Sequence, residues 1–205
     1  MAGLYAANLS EMRGKVRDWA DTAVITDGVI DDFINIAVGR LADLTRVRQM
    51  ETKVVLPITD YGIDLPDDYL ETKSLKVTYG SRDVYLETKS LDFVEEYRGV
   101  TSGEAMYFGR KEDRLVMAPD PSGVTEAELI YWKEPPTLVD DTDTDWFITK
   151  NTAAVLYGAL VELGVYVTDD EFAAGYESKF MQAMTEIQAI EDKANWSGDT
   201  LSVST

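Results

Sequence analysis

The chain contains no cysteine and no histidine. The first absence excludes disulfides, thiolate nucleophiles and cysteine-based zinc sites. The second removes the commonest general base, the usual zinc and copper ligand, and every Ser-His-Asp arrangement. Basic residues are scarce as well: 19 Lys and Arg stand against 38 Asp and Glu, a formal net charge of −19 over 205 residues. Such a surface repels nucleic-acid phosphates and anionic lipid. Three readings of the charge stay open: a soluble acidic protein, a surface that must sit near DNA without sticking to it, and a DNA mimic that blocks DNA-binding proteins. Long apolar runs are missing. The longest, Ala153–Val161, stops at Glu162, well short of the ~20 residues a membrane span needs. The opening Met1-Ala-Gly-Leu-Tyr-Ala-Ala-Asn8 has neither the basic start nor the apolar stretch of a signal peptide. The expectation is a protein that works in the cytosol, or in something assembled there, without a membrane.

Phosphate-cradling glycine motifs and the G-x-S-x-G nucleophile elbow are absent. The run Asp141-Thr-Asp-Thr-Asp145 imitates the start of a calcium loop. Trp146 then stands where glycine is required, and Thr152 where a bidentate Glu should be. An acidic turn that caps a helix is the better reading. Carboxylate pairs abound (Asp31-Asp32, Asp67-Asp68, Glu95-Glu96, Asp169-Asp170). With so many acids they arise by chance, and most sit where turns and caps want them. A carboxylate-based hydrolase would instead need a cleft holding a carboxyl of raised pKa. No catalytic, cofactor or metal residue is therefore nominated, and the chain reads as a non-enzyme.

What the chain does have is architecture. Leu9, Met12, Val16 and Trp19 share helical spacing, with Asn8 and Glu11 as a capping pair. A second helix starts after Asp27, with Ile30, Phe33, Ile34, Ala37, Leu41 and Leu44 along one face. The middle is β-rich. Strands are expected at Lys53–Ile58, Ser74–Tyr79, Val84–Thr88, Glu104–Phe108, Arg114–Ala118 and Glu126–Lys133, with a short helix at Leu91–Tyr97 capped by Ser90 and a turn or extended entry at Leu65–Leu70. After Pro135-Pro136, Asp145 caps a helix carrying Phe147, Val155, Leu156, Ala159, Leu160 and Leu163. Apolar on most sides, it should be buried. Thr168-Asp-Asp-Glu171 has the form of a capping box. A long helix follows, with Phe172, Tyr176, Phe180, Ala183, Met184 and Ile187 on one stripe. Trp132 and Trp146 read as core. Trp196, beside a small polar tail, is a candidate partner anchor or else a local packing lid; Leu201 and Val203 alternate with polar residues as in a strand that could add to a partner's sheet, the alternative being a disordered end. The heptapeptide Tyr-Leu-Glu-Thr-Lys-Ser-Leu occurs twice, at Tyr69–Leu75 and Tyr85–Leu91. The copies are too close for solenoid units, and no function attaches to them.

Three stretches carry a family resemblance: Phe33-Ile-Asn-Ile-Ala-Val-Gly-Arg-Leu41 in the second helix, Leu65-Pro-Asp-Asp-Tyr-Leu70 leading into the strands, and Tyr131-Trp-Lys-Glu-Pro-Pro-Thr-Leu138 followed by Trp146, Ala154-Val-Leu-Tyr-Gly-Ala-Leu160 and Asp169-Asp-Glu171. In this order the chain resembles the head-to-tail adaptor (connector) proteins of tailed bacteriophages, especially those of short-tailed phages. The resemblance implies an α+β fold: a helical bundle of an N-terminal helix pair and a C-terminal hairpin (1–48 and 138–196), a β-rich insertion (49–137) and a flexible tail (197–205). It also implies a virion protein at the head–tail junction, assembled in the host cytoplasm. Its partners would be the portal protein, neighbouring copies in a ring, commonly twelve, and tail or nozzle proteins, with DNA passing through unbound. The C-terminal partner residues would be Trp196, Leu201 and Val203, and no cofactor is implied. A head-completion protein of a long-tailed phage or gene-transfer particle is the nearest alternative, and an acidic DNA-mimic inhibitor the next.

Overall fold

The computed structural model describes residues 5–21, 25–100 and 102–196. It has an α+β fold. Its helices are α1 (Leu9–Ala20), α2 (Asp27–Leu44), α3 (Leu91–Val100), α4 (Trp146–Lys150), α5 (Thr152–Tyr166) and α6 (Asp170–Trp196). Its strands are β1 (Glu51–Pro57), β2 (Gly62–Asp64), β3 (Tyr69–Tyr79), β4 (Arg82–Tyr85), β5 (Glu87–Thr88), β6 (Ser102–Gly103), β7 (Tyr107–Lys111), β8 (Arg114–Ala118), β9 (Asp120–Pro121) and β10 (Glu126–Lys133). The chain divides into two compact units, Met1–Gln49 with Pro135–Thr205, and Met50–Glu134. Trp196 closes α6 and its side chain is not described; Leu201 and Val203 lie outside the described residues.

In the helical unit, α5 is the central element. Val155, Leu156, Ala159 and Leu160 are fully buried, as its lack of a polar face requires. A Cβ added at Gly158 would lie 2.7 Å from the Ala37 methyl on α2 and 3.0 Å from the Phe180 ring on α6. The missing side chain is what lets both helices approach. The long helix buries Phe180 and Ile187 of the expected stripe, with Ala173 in addition, while Phe172, Tyr176, Ala183 and Met184 are half-buried. Asn8 caps α1 as expected, its Oδ1 accepting from Glu11 N at 3.0 Å, while the Glu11 carboxylate reaches back to Ala7 N at 2.8 Å.

Four expectations need correction here. The helix opened by Asp145 is interrupted. Asn151, with φ −125° and ψ 38°, ends α4 and starts α5; asparagine is a weak helix former that tolerates such a break. Thr168 does not cap α6. It takes a left-handed φ of 59°, and Asp169 caps instead, its Oδ1 accepting from Phe172 N at 3.0 Å. Leu44 is exposed, since α2 stops there and Thr45 turns extended. Trp146 is half-buried against the edge of Phe147, outside the core.

The β unit packs two four-stranded sheets, ordered β1-β10-β3-β4 and β2-β8-β7-β5. Leu75, Val77 and Leu129 of the first meet Ile63, Phe108, Leu115 and Met117 of the second. Strand alternation gives β8 a second role. Val116 and Ala118 point the other way and pack with Val94 of α3. Ser90 caps α3, accepting from Phe93 N at 3.4 Å.

Four more expectations change in this unit. The strand Val84–Thr88 is two: β4 pairs with β3, then β5 pairs in parallel with β7. Buried Leu86 makes the switch, donating its N–H to Leu75 O at 2.9 Å. This bond joins the two copies of the heptapeptide and holds the second against the first. β3 is longer than expected, because Tyr69 already pairs with Lys133 of β10. β7 starts only at Tyr107, and Ala105 N before it is held by the Tyr79 hydroxyl at 2.8 Å. Trp132, expected in the core, is half-buried with Lys73 Nζ 5.7 Å above its ring.

Candidate interaction surface

The acidic turn before α4 is a structural knot. Its backbone carbonyls at Asp143 and Asp141 accept from Leu9 N (2.8 Å) and Ser10 N (3.1 Å), satisfying two of the orphan donors at the start of α1. The Asp143 carboxylate accepts from Val139 N (2.8 Å) and Asp140 N (2.9 Å), which holds its pKa below the usual carboxylate range. Asp145 Oδ1 accepts from Ile148 N at 2.7 Å and caps α4, while burial pushes its pKa up. Asp141 belongs to Arg13. That guanidinium is almost wholly buried; it grips Asp31 of α2 bidentately at 2.8 and 2.9 Å and reaches Asp141 at 3.0 Å. A buried charge needs this degree of pairing. The bonds to Asp31 raise its pKa still further. The calcium-like run is thus committed to caps and an ion pair. Among the described residues no group of three or more acids could hold a metal ion.

Other polar joints brace the same unit. Asn35 holds Leu138 from both sides, accepting from its N–H at 2.9 Å and donating to its carbonyl at 2.9 Å. Arg40 of α2 donates to Glu162 of α5 at 3.2 Å and to both oxygens of Glu177 of α6 at 2.8 and 3.0 Å, lying 4.6 Å over the Phe180 ring. Glu191, nearly buried on α6, accepts from the backbone and side chain of Arg48, both at 3.2 Å. Such arrangements position helices. Asp145, the carboxyl whose pKa is raised, lines neither the cavity beside Val124 nor the one beside Pro66.

The nominated Trp196, Leu201 and Val203 fall at or beyond the end of the described residues. Within those residues stands an apolar surface that sequence reasoning missed. Val165, Tyr166 and Val167 are consecutive and 59%, 60% and 47% exposed. They lie at the end of α5, where an apolar run that continues past Leu163 reads as more of the buried helix. Only the position of the turn exposes it.

The protein-family model described as SU10 adaptor protein matches residues 7–203. The chain belongs to the SU10 adaptor protein family. The adaptor is a structural protein of the phage head–tail junction, as the resemblance implied. The match runs through both units, so the β unit is as much a part of the adaptor as the helices. No curated protein matches the chain. No helix among the described residues is long and apolar enough to cross a membrane.

Proposed function

We propose that the adaptor forms a ring beneath the portal of a short-tailed phage, extends the DNA channel and offers a platform to tail or nozzle proteins. The family match over residues 7–203 carries this reading. The net charge of −19 supports it, because a lumen that passes DNA benefits from like charge. The braced helices support it too: a ring subunit has to transmit force between neighbours without deforming. In this reading 1–48 and 138–196 form the body of the ring, 49–137 is an insertion, and 197–205 is a tail that engages the portal or a neighbouring subunit through Trp196, Leu201 and Val203.

Mixing the full chain with its cognate portal ring and viewing the mixture by negative-stain microscopy tests the proposal. A second ring stacked on the portal is expected. Deleting 199–205 should leave the circular dichroism melt unchanged and weaken that assembly. A portal that stays bare at saturating adaptor overturns the ring reading. Equal assembly with and without the tail overturns the role of the tail.

A further inference from the structure

The edge strands of the two four-stranded sheets are unequal in length. β4, β2 and β5 run for four, three and two residues, and β1 for seven. β4 leads at once into β5, so the chain itself closes that side of the β unit. Among the described residues no strand pairs with the outer side of β1. The groups on that side follow from its ladder. Ile58 N donates to Thr125 O at 2.8 Å. Antiparallel pairing alternates, so the N–H and C=O of Thr52, Val54 and Leu56 also face β10, and those of Glu51, Lys53 and Val55 face away. Pro57, which has no N–H, stands at the next outward position, where the ladder loses nothing by it. A row of unpaired backbone groups is a template for another strand.

The side chains of this edge favour an apolar guest on one face only. Val54 and Leu56 pack half-buried against the core between the sheets. Lys53 and Val55 point to the outer face, where Val55 is 53% exposed and Lys53 Nζ is drawn back to Glu128 of β10 at 3.1 Å. A matching guest has two apolar residues two positions apart, with small polar residues between and around them. Thr200-Leu-Ser-Val-Ser-Thr205 has that pattern. It carries no charged side chain, so it can approach a chain of net charge −19 without the repulsion that an acidic segment meets. The family match runs to residue 203 and takes in both apolar residues.

We propose that the outer edge of β1 receives residues 200–205 of a second copy as an added antiparallel strand. Every pairing in the first sheet is antiparallel, and the guest continues it. Leu201 lies opposite Leu56 and Val203 opposite Val54, covering the flank of the core. Ser202 pairs with Val55 and Ser204 with Lys53, each exchanging both backbone hydrogen bonds. Each copy then carries one strand to give and one edge to receive, a head-to-tail contact of the kind that closes rings. The inference rests on the ring reading and names the acceptor of the tail.

The test uses the full chain on its cognate portal ring. The absence of cysteine makes an engineered pair unambiguous. Residues paired in this way have Cα atoms about 5.5 Å apart, within disulfide range. Chains carrying Val55→Cys alone, mixed with chains carrying Ser202→Cys alone and oxidised, should give disulfide-linked dimers on a non-reducing gel. Tyr85→Cys, on the opposite edge strand β4, should give none with Ser202→Cys. Val55→Pro removes only an outward N–H. It should weaken assembly on the portal about ten-fold, and combining it with deletion of 199–205 should weaken assembly little further, because both remove one contact. Thermal melts are run alongside, and the cysteine pair decides alone if Val55→Pro melts early. A ring that assembles normally without the disulfide overturns the proposal. So does a disulfide that forms only within single chains carrying both substitutions, which would place the tail on its own sheet. Loss of assembly on deletion, with no disulfide, overturns this acceptor and leaves the tail to the portal. If the portal stays bare with the wild-type chain, the ring reading fails first and takes this inference with it.

Discussion

The heptapeptide Tyr-Leu-Glu-Thr-Lys-Ser-Leu folds in two ways within one unit. Residues 69–75 are continuous strand, paired along one side with β10. Residues 85–91 end β4, step across to β5 in the other sheet, and enter α3. The lysines keep similar company: Lys73 pairs with Glu51 near the Trp132 ring, and Lys89 with Glu87 near the Tyr107 ring. The leucines change places. Leu75 is fully buried and Leu91 half-buried, whereas Leu86 is 7% exposed and its counterpart Leu70 only half-buried. Seven residues do not choose their conformation. Their partners do, which is why strand propensity measures fit to a surface more than intrinsic preference.

The leucines offer the largest test. Leu75→Ala should cost ~2–5 kcal/mol, and Leu91→Ala about 1 kcal/mol, by urea denaturation. At the second position the order should invert, with Leu86→Ala costing more than Leu70→Ala. Equal costs in each pair would mean that both copies feel the same environment, against the observed burial.

A pH titration sharpens the contrast from the neighbouring strand. Tyr131 stacks on Tyr69 of the first copy and donates to Asp68 at 2.7 Å. Burial, with that bond, pushes its pKa from 10.0 up to about 12. A raised folded pKa gives a contribution that is whole below the unfolded value and lost as pH climbs through the folded one. Stability should therefore decline between pH 10 and about 12. Tyr131→Phe should flatten that decline, and absorbance should show one tyrosine ionising late. An unaltered decline in the variant would assign it to other groups.

The serines give the smallest difference. Ser90 caps a helix and Ser74 lies within a strand. Ser90→Ala should cost ~0.5–1 kcal/mol and Ser74→Ala under about 0.5 kcal/mol in the same assay.

Much of this fold was legible because its signals are local. Helical spacing marked Leu9, Met12 and Val16, and α5, with Glu162 its one charged residue, declared its burial. The errors came where long-range partners decide. Thr168 matched a capping box in sequence, yet the turn puts it in a left-handed conformation and hands the cap to Asp169. Val84–Thr88 looked like one strand because nothing local announces a change of sheet. The buried Arg13 could not be foreseen, since Asp31 and Asp141 reach it from segments far apart in the chain. The interaction surface was the least legible part. Apolar residues at a helix end look the same whether they are covered or presented.

One feature of the β unit reaches beyond its packing. Its first strand and its last are antiparallel neighbours, with Glu51 opposite Trp132, so the points where the chain enters and leaves stand about 5 Å apart. A segment with adjoining ends can be gained, lost or exchanged in evolution without lengthening the path of the chain around it. The unit has the topology of a cassette, and a short turn in its place would leave the helical sequence on either side uninterrupted.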